Sequence, residues 1–140
     1  MPYAGWDGCW SEGADEVRRP FADSVRAGVG SFMCSYNKIN GDYACENGWT
    51  NNYLLKNELS FQGFVMSDWG AQKTTVESAL GGLDMAMPGD GARNPYNSYW
   101  GGMLTEAVLN GTIPEWRLDD SKWFRAIAAL LSRLALSSTN

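Results

Sequence analysis

Short apolar runs alternate with glycine, asparagine and proline along the chain, and their internal spacing switches between helical and strand-like. In "FADSVRA" Phe21 and Val25 stand four apart and Gly28 and Gly30 follow, which predicts a short helix over 21–27 with a glycine stop. "GSFMCSY" is then a strand candidate. "NNYLLKNELSFQG" sets Tyr53, Leu54, Leu55 and Leu59 at helical spacing behind the candidate caps Asn51 and Asn52, and it ends near Gly63. "FVMS", residues 64–67, is the second strand. Thr74 to Glu77, "TTVE", has the form of a capping box, with Val76, Ala79 and Leu80 behind it and a stop at Gly81-Gly82. "LDMAM", residues 83–87, is the third strand, closed by Pro88-Gly89. After the loop-like "PGDGARNPYNSYWGG" comes a helix from about Met103 to Leu109, ending at Asn110-Gly111. Pro114 then opens a final helical run in which Trp123, Ile127, Leu130, Leu131 and Leu134 form an apolar packing stripe.

Strands alternating with helices at this spacing imply βα units, a parallel sheet and an α/β fold. In such folds the C-terminal ends of the strands, with the loops after them, line the ligand site. Three strand ends qualify: Ser35-Tyr36-Asn37, Ser67-Asp68-Trp69 and Met87-Pro88. Asp68 is the notable one, because an unpaired carboxylate is costly inside a strand but available at its edge. Its plainer role is to cap the next helix or accept a backbone N–H. Asp84, with apolar neighbours on both sides, reads as a structural hydrogen-bond acceptor.

Composition narrows the chemistry. The chain of 140 residues is 44% hydrophobic and 19% charged, which suits a packed domain rather than disorder. No apolar run approaches the roughly 20 residues needed to span a bilayer, and the opening "MPYAGWDGCW" has neither the basic nor the apolar region of a signal peptide. Eleven basic against sixteen acidic side chains give a formal charge of -5, which disfavours nucleic acid as a partner. There is no histidine, so a Ser-His-Asp triad, a Cys-His nucleophile and a histidine-based zinc site are all excluded within these residues. Acid, base or nucleophile must be a carboxylate, Tyr, Lys or Cys. Seven Trp and six Tyr suit either a core or the apolar faces of sugars.

Three cysteines, Cys9, Cys34 and Cys45, do not make a metal cluster; one disulfide and one odd thiol is the natural count. Cys34 and Cys45 bracket "SYNKINGDYA", whose Asn40-Gly41-Asp42 marks a tight turn, so a bridge between them and a pair of reduced buried thiols both remain open. Gly5, Gly8 and Gly13 lack the context of a phosphate loop. Asn110-Gly111-Thr112 is an N-glycosylation sequon, and Asp119-Asp120 reads as compensation of a helix dipole rather than a metal pair.

From Pro20 to about Asp120 the sequence resembles the catalytic barrel of fungal-type β-glucosidases of glycoside hydrolase family 3. The resemblance is carried, in order, by "PFADSVRAGVGSFMCSYNKINGDYACEN", "LSFQGFVMSDWGAQ", "GLDMAMPG" and "AVLNGTIPEWRLDD". It implies a partial TIM-like (β/α)8 barrel of about three consecutive βα units over 20–120. Residues 1–19 are unmatched, and 121–140 form a weakly matched C-terminal helix. Three units cannot close an eight-stranded barrel, so two edge strands would be exposed.

The resemblance also implies site roles. Asp68, in "SDW", would be the nucleophile of a retaining glycosidase, while Met33, Tyr36 and Trp69 would line the sugar site, the Tyr36 hydroxyl near the nucleophile. Cys34 and Cys45 would be disulfide-bonded. The substrates would be β-glucosides such as cellobiose or short cello-oligosaccharides, with no cofactor or metal, and the full-length proteins would be secreted and N-glycosylated, here at Asn110. The acid/base glutamate would lie in a following α/β domain beyond Asn140, so this chain alone is expected to be inactive. Two other readings stand beside it: a non-catalytic carbohydrate-binding module built on Tyr36 and Trp69, and a truncated product without function.

Overall fold

The computed structural model describes residues 12–89 and 98–122, with side chains from residue 18 onward. Helix α1 (Glu12–Arg26) starts earlier than predicted: Ala14 and Val17 carry the helical spacing of Phe21 and Val25 back toward the N-terminus, across Pro20. Pro20 lies inside it, and Ser24 Oγ donates to the Pro20 carbonyl at 2.7 Å. The helix closes at Gly28: Val29 N–H bonds to the Ser24 carbonyl at 3.1 Å and Gly28 N–H to that of Val25 at 2.9 Å, the bond pair of a Schellman motif.

Strand β1 (Ser31–Cys34) comes next, then a small antiparallel hairpin of β2 (Lys38–Ile39) and β3 (Asp42–Tyr43). Its loop is Asn40-Gly41, with φ of 53° and 101°, and the tight two-residue turn demands such positive values. The sequence showed the turn but not the hairpin around it. A short 3-10 turn (Ala44–Glu46) leads into a π-helix, Trp49–Glu58.

The start of that helix differs from expectation. Asn47 is the side chain that caps it, its Oδ1 accepting from the Thr50 N–H at 2.8 Å and the Thr50 hydroxyl at 2.9 Å. Asn51 and Asn52 lie within the helix and donate across to the carbonyls of Gly81 (3.2 Å) and Leu80 (2.8 Å). They fasten the π-helix to the end of α2 (Val76–Leu80). The capping box at Thr74 is also rearranged. The Thr74 hydroxyl accepts the Ser78 N–H and donates to Glu46 at 2.7 Å, so Glu77 does not complete the motif.

Strand β4 (Phe64–Ser67) occupies the predicted residues and pairs in parallel with β1, from Ser31↔Phe64 to Cys34↔Ser67. Val65 and Ser67 point into the core and Phe64 and Met66 away from it, the alternation of a strand with one covered face. Gly63 is needed just before β4, because a Cβ there would come within 2.3 Å of the Gly30 carbonyl oxygen. Phe61, buried beneath, packs edge-on against Phe32 at 4.9 Å. Val65, Leu83, Leu55 and the two paired cysteines complete this core, while Ala79, Ala107 and Ile113 form a second cluster under α3 (Gly102–Leu109). Residues 115–122 are helical. The predicted stripe from Trp123 to Leu134 lies outside the described residues, as do residues 90–97 of the long loop. No helix among the described residues is long and apolar enough to cross a membrane.

The predicted third strand is reduced to one parallel bridge, Met66↔Met85. Its central rungs are Met85 N–H to the Val65 carbonyl at 3.0 Å, an acceptor shared with the Asp84 N–H at 2.9 Å, and Ser67 N–H to the Met85 carbonyl at 2.9 Å. A regular ladder would next send the Val65 N–H to the Leu83 carbonyl. Instead Val65 N–H donates to Asp84 Oδ2 at 2.9 Å, and the Leu83 carbonyl takes Arg117 Nη2 at 2.8 Å. At the other end Met87 N–H donates to Ser67 Oγ at 2.8 Å rather than continuing the ladder. Side chains make the outer rungs, so the segment is held as a strand while its backbone ladder is short.

Asp84 is therefore structural, and its carboxylate is buried between two cations. Lys56 Nζ donates to it at 2.8 and 3.0 Å and Arg117 Nη2 at 2.9 Å. Arg117 also donates to the Ala79 carbonyl at 2.7 Å. Burial lowers the Lys56 pKa below its ordinary 10.5, with the Arg117 charge acting the same way and Asp84 opposing both. Two outcomes follow. Asp84→Ala leaves two cations buried without their anion and costs about 3–5 kcal/mol in urea unfolding; a loss under about 1 kcal/mol would contradict the structural role. Because the unfolded chain holds the Lys56 proton to higher pH than the folded one, stability gains a rising component as pH approaches 10.5, which Lys56→Met removes. Unfolding curves of the two proteins from neutral to alkaline pH measure it.

Candidate active site

The ends of β1, β4 and the 83–87 segment lie side by side, and their loops bring Tyr36, Asp68 and Trp69 together. Asp68 follows β4 directly. Its N–H donates to the Cys34 carbonyl at 2.9 Å, which extends the β1 ladder by one rung. Its carbonyl accepts the Ala71 N–H at 3.0 Å as the chain turns. The backbone under this carboxylate is therefore fixed on both sides while the side chain stays half-buried at the strand end. One carboxylate oxygen, Oδ1, accepts the Trp69 N–H at 2.6 Å. That is the backbone contact of the plainer reading, and it also orients the carboxylate.

Tyr36 reaches over from the end of β1. Its hydroxyl donates to the Trp69 carbonyl at 2.8 Å. The Trp69 peptide is thus held at its N–H by Asp68 and at its carbonyl by Tyr36, leaving the indole 62% exposed. Desolvation and the negative charge of the neighbouring Asp68 carboxylate raise the Tyr36 phenol above its ordinary 10.0. The ring is half-exposed, so the carboxylate beside it outweighs desolvation. Met33 pairs in register with Met66 and is exposed on the sheet face opposite the core.

Cys34 and Cys45 are joined by a disulfide across a sequence separation of 11, with Cα atoms 5.1 Å apart. The bond ties the end of β1, which carries the acceptor for Asp68 N–H, to the 3-10 turn. Asn110 sits elsewhere, at the end of α3. It is exposed, and its Oδ1 accepts from both the N–H (3.0 Å) and the hydroxyl (2.6 Å) of Thr112. Among the described residues no group of three or more His, Cys, Asp or Glu side chains could hold a metal ion.

Two supporting roles escaped sequence reasoning. Ser67 is buried and bonded to Met87, and Lys73 Nζ donates to the Gly70 carbonyl at 2.8 Å, bracing the turn that follows Asp68. The available signal for Ser67 was a hydroxyl at an inward strand register, which needs a partner. The proximity of Tyr36 and Asp68 has a direct readout. Removing the charge with Asp68→Asn lowers the phenol titration of one tyrosine toward 10.0 in ultraviolet difference spectra; no change between the two proteins would separate the groups.

The chain matches the model of the glycosyl hydrolase family 3 N-terminal domain over residues 14–125. It is 65% identical over 101 residues to β-glucosidase 1 of Aspergillus aculeatus, a match covering 72% of this chain and 12% of that protein. The solved β-glucosidase of Chaetomium thermophilum superposes with a TM-score of 0.76 at 60% identity, covering 79% of this chain and 13% of that one. β-Glucosidase 3B of Thermotoga neapolitana, solved in complex with glucose, gives a TM-score of 0.72 at 31% identity, over 79% of this chain and 16% of that one. The chain thus spans about an eighth of the length of the curated relatives it matches, and its α/β fold with parallel strands is that of the same group. It belongs to glycosyl hydrolase family 3, within the N-terminal domain.

Proposed function

We propose that these residues are the nucleophile-bearing portion of a retaining β-glucosidase, about three consecutive βα units of a (β/α)8 barrel, with Asp68 as nucleophile. The observation that carries the reading is a carboxylate set at a parallel-strand end, on a backbone bonded to both neighbours, with an exposed indole and a phenol beside it. Retaining hydrolysis needs such an anchored anion on one face of the sugar ring.

In the first step the Asp68 carboxylate attacks the anomeric carbon. A C–O ester bond forms as the glycosidic C–O bond breaks, and the leaving oxygen departs with its electron pair and a proton from a general acid. In the second, the same group as a base takes a proton from water, which attacks the anomeric carbon and frees the carboxylate. We assign the acid/base carboxyl to residues outside these 140. Met33, Tyr36 and Trp69 contact the sugar, Trp69 by stacking on its apolar face. The substrates are β-D-glucosides such as cellobiose or short cello-oligosaccharides, placing the full-length protein in extracellular cellulose breakdown. Asn110, exposed in its sequon, is the N-glycosylation site.

A 2-fluoroglucoside with a dinitrophenolate leaving group tests the nucleophile without the acid, because this leaving group departs unprotonated. The wild-type chain gains one fluoroglucosyl group by intact-mass measurement, mapped to Asp68, and Asp68→Ala gains none. An unlabelled wild type, or a label elsewhere, would overturn the assignment. Turnover of an ordinary aryl β-glucoside by the chain alone stays at the buffer rate, since the acid/base group is absent; turnover lost on Asp68→Ala would contradict that absence.

A further inference from the structure

We infer that Ser67 is a positioning residue for Asp68: its hydroxyl replaces the missing backbone rung between β4 and the 83–87 segment and so fixes the point from which the carboxylate projects. This rests on the reading of Asp68 as nucleophile. The Ser67 side chain is buried, 1% exposed, at the last inward position of β4. Its Oγ accepts the Met87 N–H at 2.8 Å and donates to the Met87 carbonyl at 3.3 Å. In an unbroken parallel ladder the Met87 N–H would go to the Ser67 carbonyl. With the hydroxyl as acceptor, the chain can turn at Asp68 while Ser67 stays tied to the neighbouring strand.

The turn then comes back to the same residue. Gly70 N–H donates to the Met87 carbonyl at 2.8 Å, so Met87 holds the chain on both sides of Asp68 and Trp69. The bond from Asp68 N–H to the Cys34 carbonyl holds the opposite side. Removing the Ser67 hydroxyl leaves the Met87 N–H without its acceptor and releases one of these restraints without touching the sugar or the carboxylate. Alanine keeps strand geometry, so the effect falls on where Asp68 points. Displacements of about 1 Å at a reacting group cost on the order of 100-fold in rate.

The experiment measures the rate of Asp68 labelling by the same dinitrophenyl 2-fluoroglucoside in the full chain, separating the maximal rate from the half-saturating concentration. Ser67→Ala is expected to lower the maximal rate roughly 10- to 100-fold with the half-saturating concentration little changed. Ser67→Thr, which keeps the hydroxyl, restores most of it. Ser78→Ala, an equally buried hydroxyl in α2, is the control and labels at the wild-type rate. Labelling of Ser67→Ala within about twofold of wild type, a gap too small for lost positioning, overturns the inference and leaves the nucleophile reading intact. No labelling of the wild type overturns both. If Ser67→Ala does not fold, Ser67→Cys against Ser67→Thr decides: a slow Cys variant with a fast Thr variant supports the role, and equal rates overturn it.

Discussion

A single buried carboxylate, Asp84, sets the arrangement of everything around it. Its charge is acceptable only because Lys56 and Arg117 meet it from two different helical segments, and Oδ2, which Lys56 also holds, accepts the Val65 N–H. One residue thus joins the π-helix, the strand that leads to Asp68 and the helical residues 115–122. Apolar contacts supply the cohesion beneath it, with Phe61, Leu83 and Val65 essentially removed from water. Burial of that kind is non-directional. The carboxylate, by contrast, specifies which N–H meets which oxygen, and so fixes the register of β4 against the 83–87 segment.

The strand-end chemistry depends on that register. With β4 held between β1 and the 83–87 segment, Asp68 emerges where the ladder gives way to turns, its N–H bonded toward β1 and its neighbours toward Met87. The disulfide from Cys34 to Cys45 restrains the β1 side, and loop closure of this kind typically contributes about 2–4 kcal/mol. Tyr36 then closes the arrangement by holding the Trp69 carbonyl. The result is a rigid base beneath a carboxylate and an exposed indole, the requirement for attack on one face of a bound ring.

Local signals made some of this legible in the sequence. The "FVMS" strand, the Asn40-Gly41 turn and the helix ending at Asn110-Gly111 rest on alternation, turn residues and stop residues, all of which act over a few positions. Asp84 was legible as a buried acceptor because its neighbours are apolar. Its partners were not, since Lys56 and Arg117 lie 28 and 33 residues away and nothing local marks either. The same limit explains the π-helix start. Asn51 and Asn52 look like caps, but their amides are drawn to carbonyls at the end of α2, and Asn47 caps instead. The third strand is shorter than its apolar run because Asp84 and Ser67 take over its outer rungs. Asp68 was visible as a strand-end acid; the contacts that turn it toward Trp69 and Tyr36 depend on tertiary placement.

The Asp84 carboxylate, through the Val65 N–H, locks the strand that presents Asp68. Native-state hydrogen exchange at the Val65 amide measures this lock. This amide is expected to exchange only through global unfolding, among the slowest in the chain. Exchange of Val65 at the rate of exposed loop amides, while the Met66 amide stays protected, would contradict it.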